Sequence, residues 1–291
     1  TLSRGHLSDS SVRALYGEKL SLSPSRTDAY SACRFSYFLR YGLKLDERES
    51  AGFEAPELGT FMHYVLENVA GDISKNIGFK NITEDEIRSL VDKYTDLYIA
   101  DTLGGFEDKS PRFVYLFGRL RPSVHRVVAD MVRELSKSDF APLDFELGLG
   151  NGGELPPVRL FDGKNELFIN GIADRVDGYM HDGKLYLRII DYKTGKKSFS
   201  LSDIWYGMGM QMLLYLFALE ENGASRYGAE IVPAGVLYVP ARDMIISSNG
   251  DLTDEELNKE KAKMRKRSGL ILDDSNVIAA MENSESPEYI P

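Results

Sequence analysis

A chain of 291 residues has room for one large domain or two small ones, and its 43% apolar and 27% charged residues exclude a disordered, collagenous or disulfide-scaffold protein. The net charge of −10 argues against DNA binding by bulk electrostatics, but it is segregated: residues 1 to 45 hold seven basic and three acidic side chains, a local +4, which leaves −14 on the other 246. A single cysteine, Cys33, excludes an internal disulfide and fits a reducing cytoplasm; the first residues show no charged n-region followed by an apolar h-region, so export is not expected, and the most apolar stretch, Ile204 to Leu219, falls short of the roughly 20 residues of a membrane span.

In chain order, the first 20 residues are Ser-rich with no firm period and read as flexible or partly helical. Ser23-Pro24 has the N-cap and first-turn chemistry to open an aromatic, Arg-bearing helix that runs to Tyr41 and stops at Gly42. After an acidic irregular segment, a second helix is expected from Pro56 to Ala70, ending at Gly71. A third starts at Thr83, where Thr83 and Glu86 have capping-box spacing, and a fourth spans Arg112 to Ser136 with a kink at Pro122. Beyond Pro142 the pattern changes to short alternating strands: Leu143 to Leu149, Val158 to Phe161, Leu167 to Tyr179 and Leu185 to Tyr192. A long helix from Ser202 to Glu221, closed by Asn222-Gly223, then precedes a strand buried on both faces, Ile231 to Val239. A charged helix from Thr253 to Arg267 ends in Lys261, Lys263, Arg265, Lys266 and Arg267 and reads as a solvated face, the alternative being a phosphate contact. The expected fold is α/β, a mixed β-sheet flanked by helices: a terminal segment 1–22 and one domain 23–291, helical to about 140 and carrying its sheet thereafter.

Asp182-Gly183 between alternating runs is a two-residue hairpin signal, and it makes cross-strand partners sum to 365. Asp177 then faces Arg188 as an ordinary ion pair, and Asp174 faces Asp191, with Lys193 on the same face. Two carboxylates about 5 Å apart repel by about 3 kcal/mol at an effective dielectric of about 20, a cost without purpose in a structural sheet. A divalent cation reverses its sign, and Mg²⁺ typically takes one or two carboxylates while keeping waters for chemistry. Lys193 is placed to orient a water or to neutralise charge on a phosphate. The plainer alternative makes Asp174 and Asp191 strand-end residues paired with Arg175 and Lys193.

Gly171-Ile-Ala-Asp174-Arg-Val-Asp177, Ile190-Asp191-Tyr192-Lys193-Thr194-Gly195 and Gln211-Met-Leu-Leu-Tyr215, with Gly59-Thr-Phe-Met-His63 upstream, resemble the motifs of RecB-type nucleases of the PD-(D/E)XK superfamily. The resemblance implies a restriction-endonuclease-like core in which His63, Asp174, Asp191 and the Tyr192 backbone carbonyl hold Mg²⁺ or Mn²⁺ and Lys193 assists hydrolysis. It implies that Gln211 and Tyr215, four apart on one helix face, border the site. Glu146 matches a family glutamate near the metal only loosely, the alternative being a solvent-facing strand residue. His63 taken alone would read as a satisfied helix histidine.

The stretch from Leu22-Ser-Pro-Ser-Arg26 through Ala32-Cys33-Arg34-Phe35 to Tyr41-Gly42-Leu43 is similar to the start of the nuclease domain in the AddB family, one of the two chains of AddAB-type helicase-nucleases. That resemblance implies end processing of broken DNA in recombinational repair, an AddA-like helicase-nuclease as partner, a single strand of unwound DNA as substrate, an exonuclease and no membrane. It also implies a 4Fe–4S cluster in which Cys33 joins three later cysteines. Four thiolates are usual and this chain has one, so no cluster assembles within it; Cys33 is expected as a plain thiol, half-buried on an amphipathic helix. The start at Thr1 and the stop at Pro291 read as a piece of a longer protein, and no Walker A sequence occurs. The competing readings are a stand-alone RecB-type or CRISPR-associated exonuclease and a non-catalytic DNA-binding scaffold.

Overall fold

The computed structural model describes residues 6–45, 55–150, 152–161, 166–195, 199–241 and 253–290. The acidic segment expected after Gly42 lies, from residue 46 to 54, outside them. The Ser-rich start contains helix α1 (Asp9–Tyr16), opened by Ser8, whose hydroxyl accepts from Ser11 N–H at 3.2 Å. Strand β1 (Leu20–Leu22) follows. Both were illegible as a period because α1 buries none of its residues and β1 is only three residues long.

Pro24 opens helix α2 (Pro24–Ala32) behind Ser23, as its fixed φ favours. The single helix expected to Tyr41 is instead broken at Cys33, which is extended (φ −158°, ψ 104°), and continues as α3 (Arg34–Tyr37) and a π turn, Phe38–Gly42. The break lets buried Tyr37 pack among Tyr16, Tyr30 and Tyr41, with ring centroids 5.8, 5.3 and 4.9 Å away. It also exposes Cys33, which is not half-buried.

Helix α4 (Ala55–Asn76) does not stop at Gly71: Val69, Ala70 and Ile73 are wholly buried, and their packing carries the helix through. The Thr83–Glu86 capping box forms and opens α5 (Glu84–Asp101). The fourth helix is two, α6 (Pro111–Gly118) and α7 (Leu120–Ser136), parted at Arg119; Pro122 sits in the first turn of α7, where its missing N–H has no intrahelical partner to lose.

Strands β2 (Ala141–Leu149), β3 (Val158–Phe161), β4 (Glu166–Ile169), β5 (Gly171–His181) and β6 (Lys184–Lys193) follow. The run expected from Leu167 to Tyr179 divides at Asn170, whose N–H donates to Leu22 O, so β4 joins β1 and β3 in a small sheet. Glycines 207 and 209, both at positive φ, split the next expected helix into α8 (Leu201–Trp205) and α9 (Gln211–Tyr227). Helix α9 runs through Asn222-Gly223 to left-handed Gly228; Gly223 is a packing contact, since a Cβ there would lie 3.2 Å from Ile231. Strand β7 (Glu230–Pro240) pairs parallel with β6 after this helical crossover. A second capping box, Thr253–Glu256, opens α10 (Asp254–Arg265), and β8 (Ser268–Ile271) and α11 (Ser275–Met281) complete the described chain.

The main sheet has the order β2-β5-β6-β7-β8, antiparallel except for β6–β7. Residues of α4, α5 and α7 pack with Ile190, Tyr192, Leu237 and Val239, whereas α9 packs with Leu187, Ile189, Val236 and Tyr238. The alternation of β6 and β7 thus feeds two cores, which is why both strands read as unbroken apolar runs. No helix among the described residues is long and apolar enough to cross a membrane.

Candidate active site

Asp182 and Gly183 adopt left-handed φ values of 49° and 76°, and the β5–β6 register runs from His181↔Lys184 to Arg175↔Ile190 as the hairpin arithmetic requires. One step further Asp174 stands beside Asp191, and its Oδ2 accepts the Tyr192 N–H at 2.7 Å. On the other side, the pairs Phe145↔Arg175 and Leu147↔Ala173 put Glu146 next to Asp174. Asp191 is paired with Tyr238 on β7. Adjacent strands therefore carry a row of three carboxylates, Glu146, Asp174 and Asp191.

Glu146 has φ +48° within a strand, a conformation costing about 1–2 kcal/mol for a residue with a Cβ. Its Oε1 lies 3.3 Å from His63 Nδ1, which is also 3.7 Å from Asp174 Oδ2, while His63 Nε2 lies 3.2 Å from the Tyr192 carbonyl oxygen. Both ring nitrogens thus face acceptors, the arrangement of an imidazolium. Burial works against that charge, but the Glu146 hydrogen bond, the Asp174 and Glu146 charges and the Tyr192 carbonyl outweigh it, raising the His63 pKa to about 9. Asp174 is pushed up to about 7, first by burial and then by Asp191, with His63 opposing.

Asp191 is buried, and Lys193 Nζ lies 2.5 Å from its Oδ2; that oxygen has no aligned hydrogen-bond donor among the described residues. Behind it, Gln211 Nε2 donates to the Tyr215 hydroxyl at 3.5 Å. Burial pushes the Tyr215 phenol up to about 12, and Asp191 and Asp174 add to this against hydrogen bonds from Gln211 and the Ile172 backbone. Gly171 makes room for that ring: a Cβ there would lie 1.8 Å from the Tyr215 hydroxyl.

The structure thus gathers His63, Glu146, Asp174, Asp191, the Tyr192 carbonyl, Lys193, Gln211 and Tyr215, and leaves Cys33 outside, at the α2–α3 junction. Glu67, which sequence reading passed over, belongs with them. It follows His63 by one helical turn, a spacing visible in the sequence, and its carboxyl pKa is raised by burial and by Glu146, with His63 opposing. Arg175 does not pair with Asp174; it binds Asp177, the ion partner of Arg188. Arg267, expected on a solvated face, is buried against Glu134 and Asp130.

One ligand atom each from His63, Glu146 and Asp174 lies within 4.8 Å of the others. With Asp191, the neighbour of Asp174 across the hairpin, this set of hard oxygens and one imidazole fits a divalent cation of the Mg²⁺ or Mn²⁺ kind.

A mixed sheet with acidic residues meeting on adjoining strands and a lysine two residues past the last of them is nuclease architecture, and a family model of the PD-(D/E)XK nuclease superfamily matches residues 21–287. The chain belongs to that superfamily. Among curated proteins it is similar to the B subunit of the ATP-dependent helicase/deoxyribonuclease of Clostridium tetani, 38% identical over 274 residues, which are 94% of this chain and 24% of that protein. Proteins of the same name from Clostridium acetobutylicum and Acetivibrio thermocellus are 35% and 36% identical, over 95% and 93% of this chain and 24% of each relative. The chain spans about a quarter of the length of these relatives.

Proposed function

We propose that this chain is the nuclease module of an AddB-like helicase/deoxyribonuclease and hydrolyses DNA phosphodiester bonds with Mg²⁺ or Mn²⁺. The observation that carries the proposal is the row Glu146, Asp174 and Asp191 on three adjoining strands, with Lys193 on the strand of the last. His63, Glu146, Asp174, Asp191 and the Tyr192 carbonyl would hold the cation, which supplies Lewis acidity and an acidified water when bound. The His63 ring nitrogens contact the Glu146, Asp174 and Tyr192 oxygens assigned to the cation, and a ring that binds metal must present a nitrogen free of its proton. Lys193 orients the attacking water and offsets charge growing on the phosphate, while Gln211 and Tyr215 fix the face against which that lysine and the strand lie.

In the parent protein the substrate is one strand of DNA unwound by an AddA-like partner in the cytoplasm, degraded exonucleolytically during double-strand-break repair. Cys33 is a 4Fe–4S ligand only where later cysteines complete the set. The test is cleavage of 5′-labelled single-stranded DNA in Mg²⁺, in Mn²⁺ and in EDTA. Cleavage in the metals alone, lost in Lys193→Ala, is expected. A folded chain that binds Mn²⁺ yet leaves DNA intact would replace the enzyme by a scaffold.

A further inference from the structure

Helix α8 buries none of its residues, and its end carries Trp205 and Tyr206 at 86% and 72% exposure. Two large rings left in water contribute nothing to the core. The segment is nevertheless held in place. Ser200 caps the helix by accepting from Asp203 N–H; Gly209 N–H donates to Asp28 Oδ1 of α2 at 2.9 Å; and Gly207, at φ +76°, backs onto Ser31, whose Oγ would lie 3.1 Å from a Cβ.

The surface to which it is tied is aromatic and basic. Tyr30, one residue before Ser31, is 46% exposed, and the Arg34 guanidinium lies 5.3 Å from its ring centroid. Arg26 and Arg34 are exposed, within the terminal 45 residues that carry the local +4 of a chain whose net charge is −10. The segment is also linked to the acidic row along the chain and through Asp28. Trp205 precedes Gln211 by six residues, and Asp28 acts on Tyr238, the partner of Asp191.

We propose that Trp205 and Tyr206 form a stacking platform for bases of single-stranded DNA, with Arg34, on the surface to which the segment is tied, receiving a backbone phosphate. Flat rings on a segment tied to a surface with exposed guanidinium groups match what an unpaired strand offers, base faces and phosphates, whereas a duplex keeps its base faces stacked inside. The platform rests on the nuclease reading for its purpose: it would hold the strand entering the site.

Trp205 is the single tryptophan of the chain, so its fluorescence reports this place alone. The experiment titrates the protein in EDTA with a 20-nucleotide oligo(dT), following tryptophan emission and, on a labelled oligonucleotide, anisotropy. Emission is expected to be quenched in step with binding, less by the corresponding duplex, and binding to weaken as salt rises from about 50 to about 200 mM. Trp205→Ala should weaken binding by about tenfold and Trp205→Phe should restore most of it, because any aromatic face serves. No binding at all, or binding that leaves the emission unchanged, overturns the platform. Cleavage in Mg²⁺ is scored separately: cleavage with unquenched emission removes the platform and keeps the nuclease, and quenching with no cleavage does the reverse.

Discussion

The β5–β6 hairpin holds two groups of charges that obey opposite rules. At Asp177 each charge meets its opposite: Arg175 donates to it at 2.7 and 2.9 Å and Arg188 at 2.9 Å, Arg188 reaches Glu134 at 3.4 Å, and Arg267 binds Glu134 at 2.6 Å and Asp130 at 3.2 Å. Three guanidinium groups meet three carboxylates, all buried. Burial alone would raise the Glu134 pKa, yet Arg267, Arg188 and Arg175 pull it down to about 2. At Asp174 and Asp191 three carboxylates share one lysine and a histidine, and Asp174 is raised rather than lowered. A network that serves folding balances its charges internally; one that leaves acid in surplus is built for a cation from outside.

The largest expected effect is at the balanced group. Asp177→Ala leaves Arg175 and Arg188 buried without their carboxylate and should cost about 3–5 kcal/mol of stability. Asp191→Ala in the metal-free chain removes a charge facing Asp174 along with the partner of Lys193, and should change stability by less than about 1 kcal/mol while abolishing Mn²⁺ affinity and cleavage. Urea unfolding and calorimetry measure both, and equal stability losses would erase the distinction. Next in size, Lys193→Ala should slow cleavage by about 10²–10³-fold with folding and Mn²⁺ affinity retained, since the lysine serves water and phosphate rather than the cation. Full activity would remove Lys193 from the site.

Much of this contrast was legible beforehand because a hairpin register is arithmetic: once Asp182-Gly183 is the turn, the pairing of 177 with 188 and the meeting of 174 with 191 follow. The Thr83–Glu86 box and the two-sided burial of β7 were legible for similar local reasons. What escaped depends on tertiary contacts. Gly71 lacks the strength to end a helix whose next turn buries Ile73, Cys33 breaks a helix so that Tyr37 can be packed, and Arg267 is drawn inward by acids over 130 positions away on α7. Glu146 was ambiguous because no local pattern announces a left-handed residue in a strand, and Glu67 was missed although its spacing from His63 was in view.

Metal and protons sharpen the comparison further, since between about pH 4 and 9 the raised groups of the acidic row respond while Glu134, held down at about 2, stays ionised. Mn²⁺ at about 100 times its dissociation constant should stabilise the chain by about 2.7 kcal/mol. Asp174 is raised from an ordinary 3.8 to about 7 and His63 from 6.5 to about 9. Each binds its proton more tightly in the folded chain, so the stability each contributes is full below its unfolded value and lost as pH rises through its folded one. Metal-free stability from these two groups should therefore decline between about pH 4 and 9, whereas Mn²⁺ affinity should climb by about tenfold per pH unit between 7 and 9 as His63 loses its proton. Melting temperatures and calorimetric affinities across this range test both slopes; a Mn²⁺ affinity flat above pH 7 would take His63 out of the ligand set.

The smallest effect concerns Glu146, whose backbone bears a strain that the balanced group lacks. At an ordinary strand position Ala is more stable than Gly by about 0.5–1 kcal/mol, because glycine gives up more chain entropy on folding. At φ +48° the order should invert, since Ala meets the left-handed penalty of about 1–2 kcal/mol and Gly does not. Glu146→Gly should thus be more stable than Glu146→Ala by some tenths of a kcal/mol to about 1 kcal/mol in the metal-free chain. Both variants should lose Mn²⁺ affinity alike, because both lose the carboxylate that approaches His63 and Asp174. The sign carries the argument: an Ala variant more stable than the Gly variant would mean an ordinary strand residue at 146, and unaltered Mn²⁺ affinity in both would mean that the strain there serves no cation.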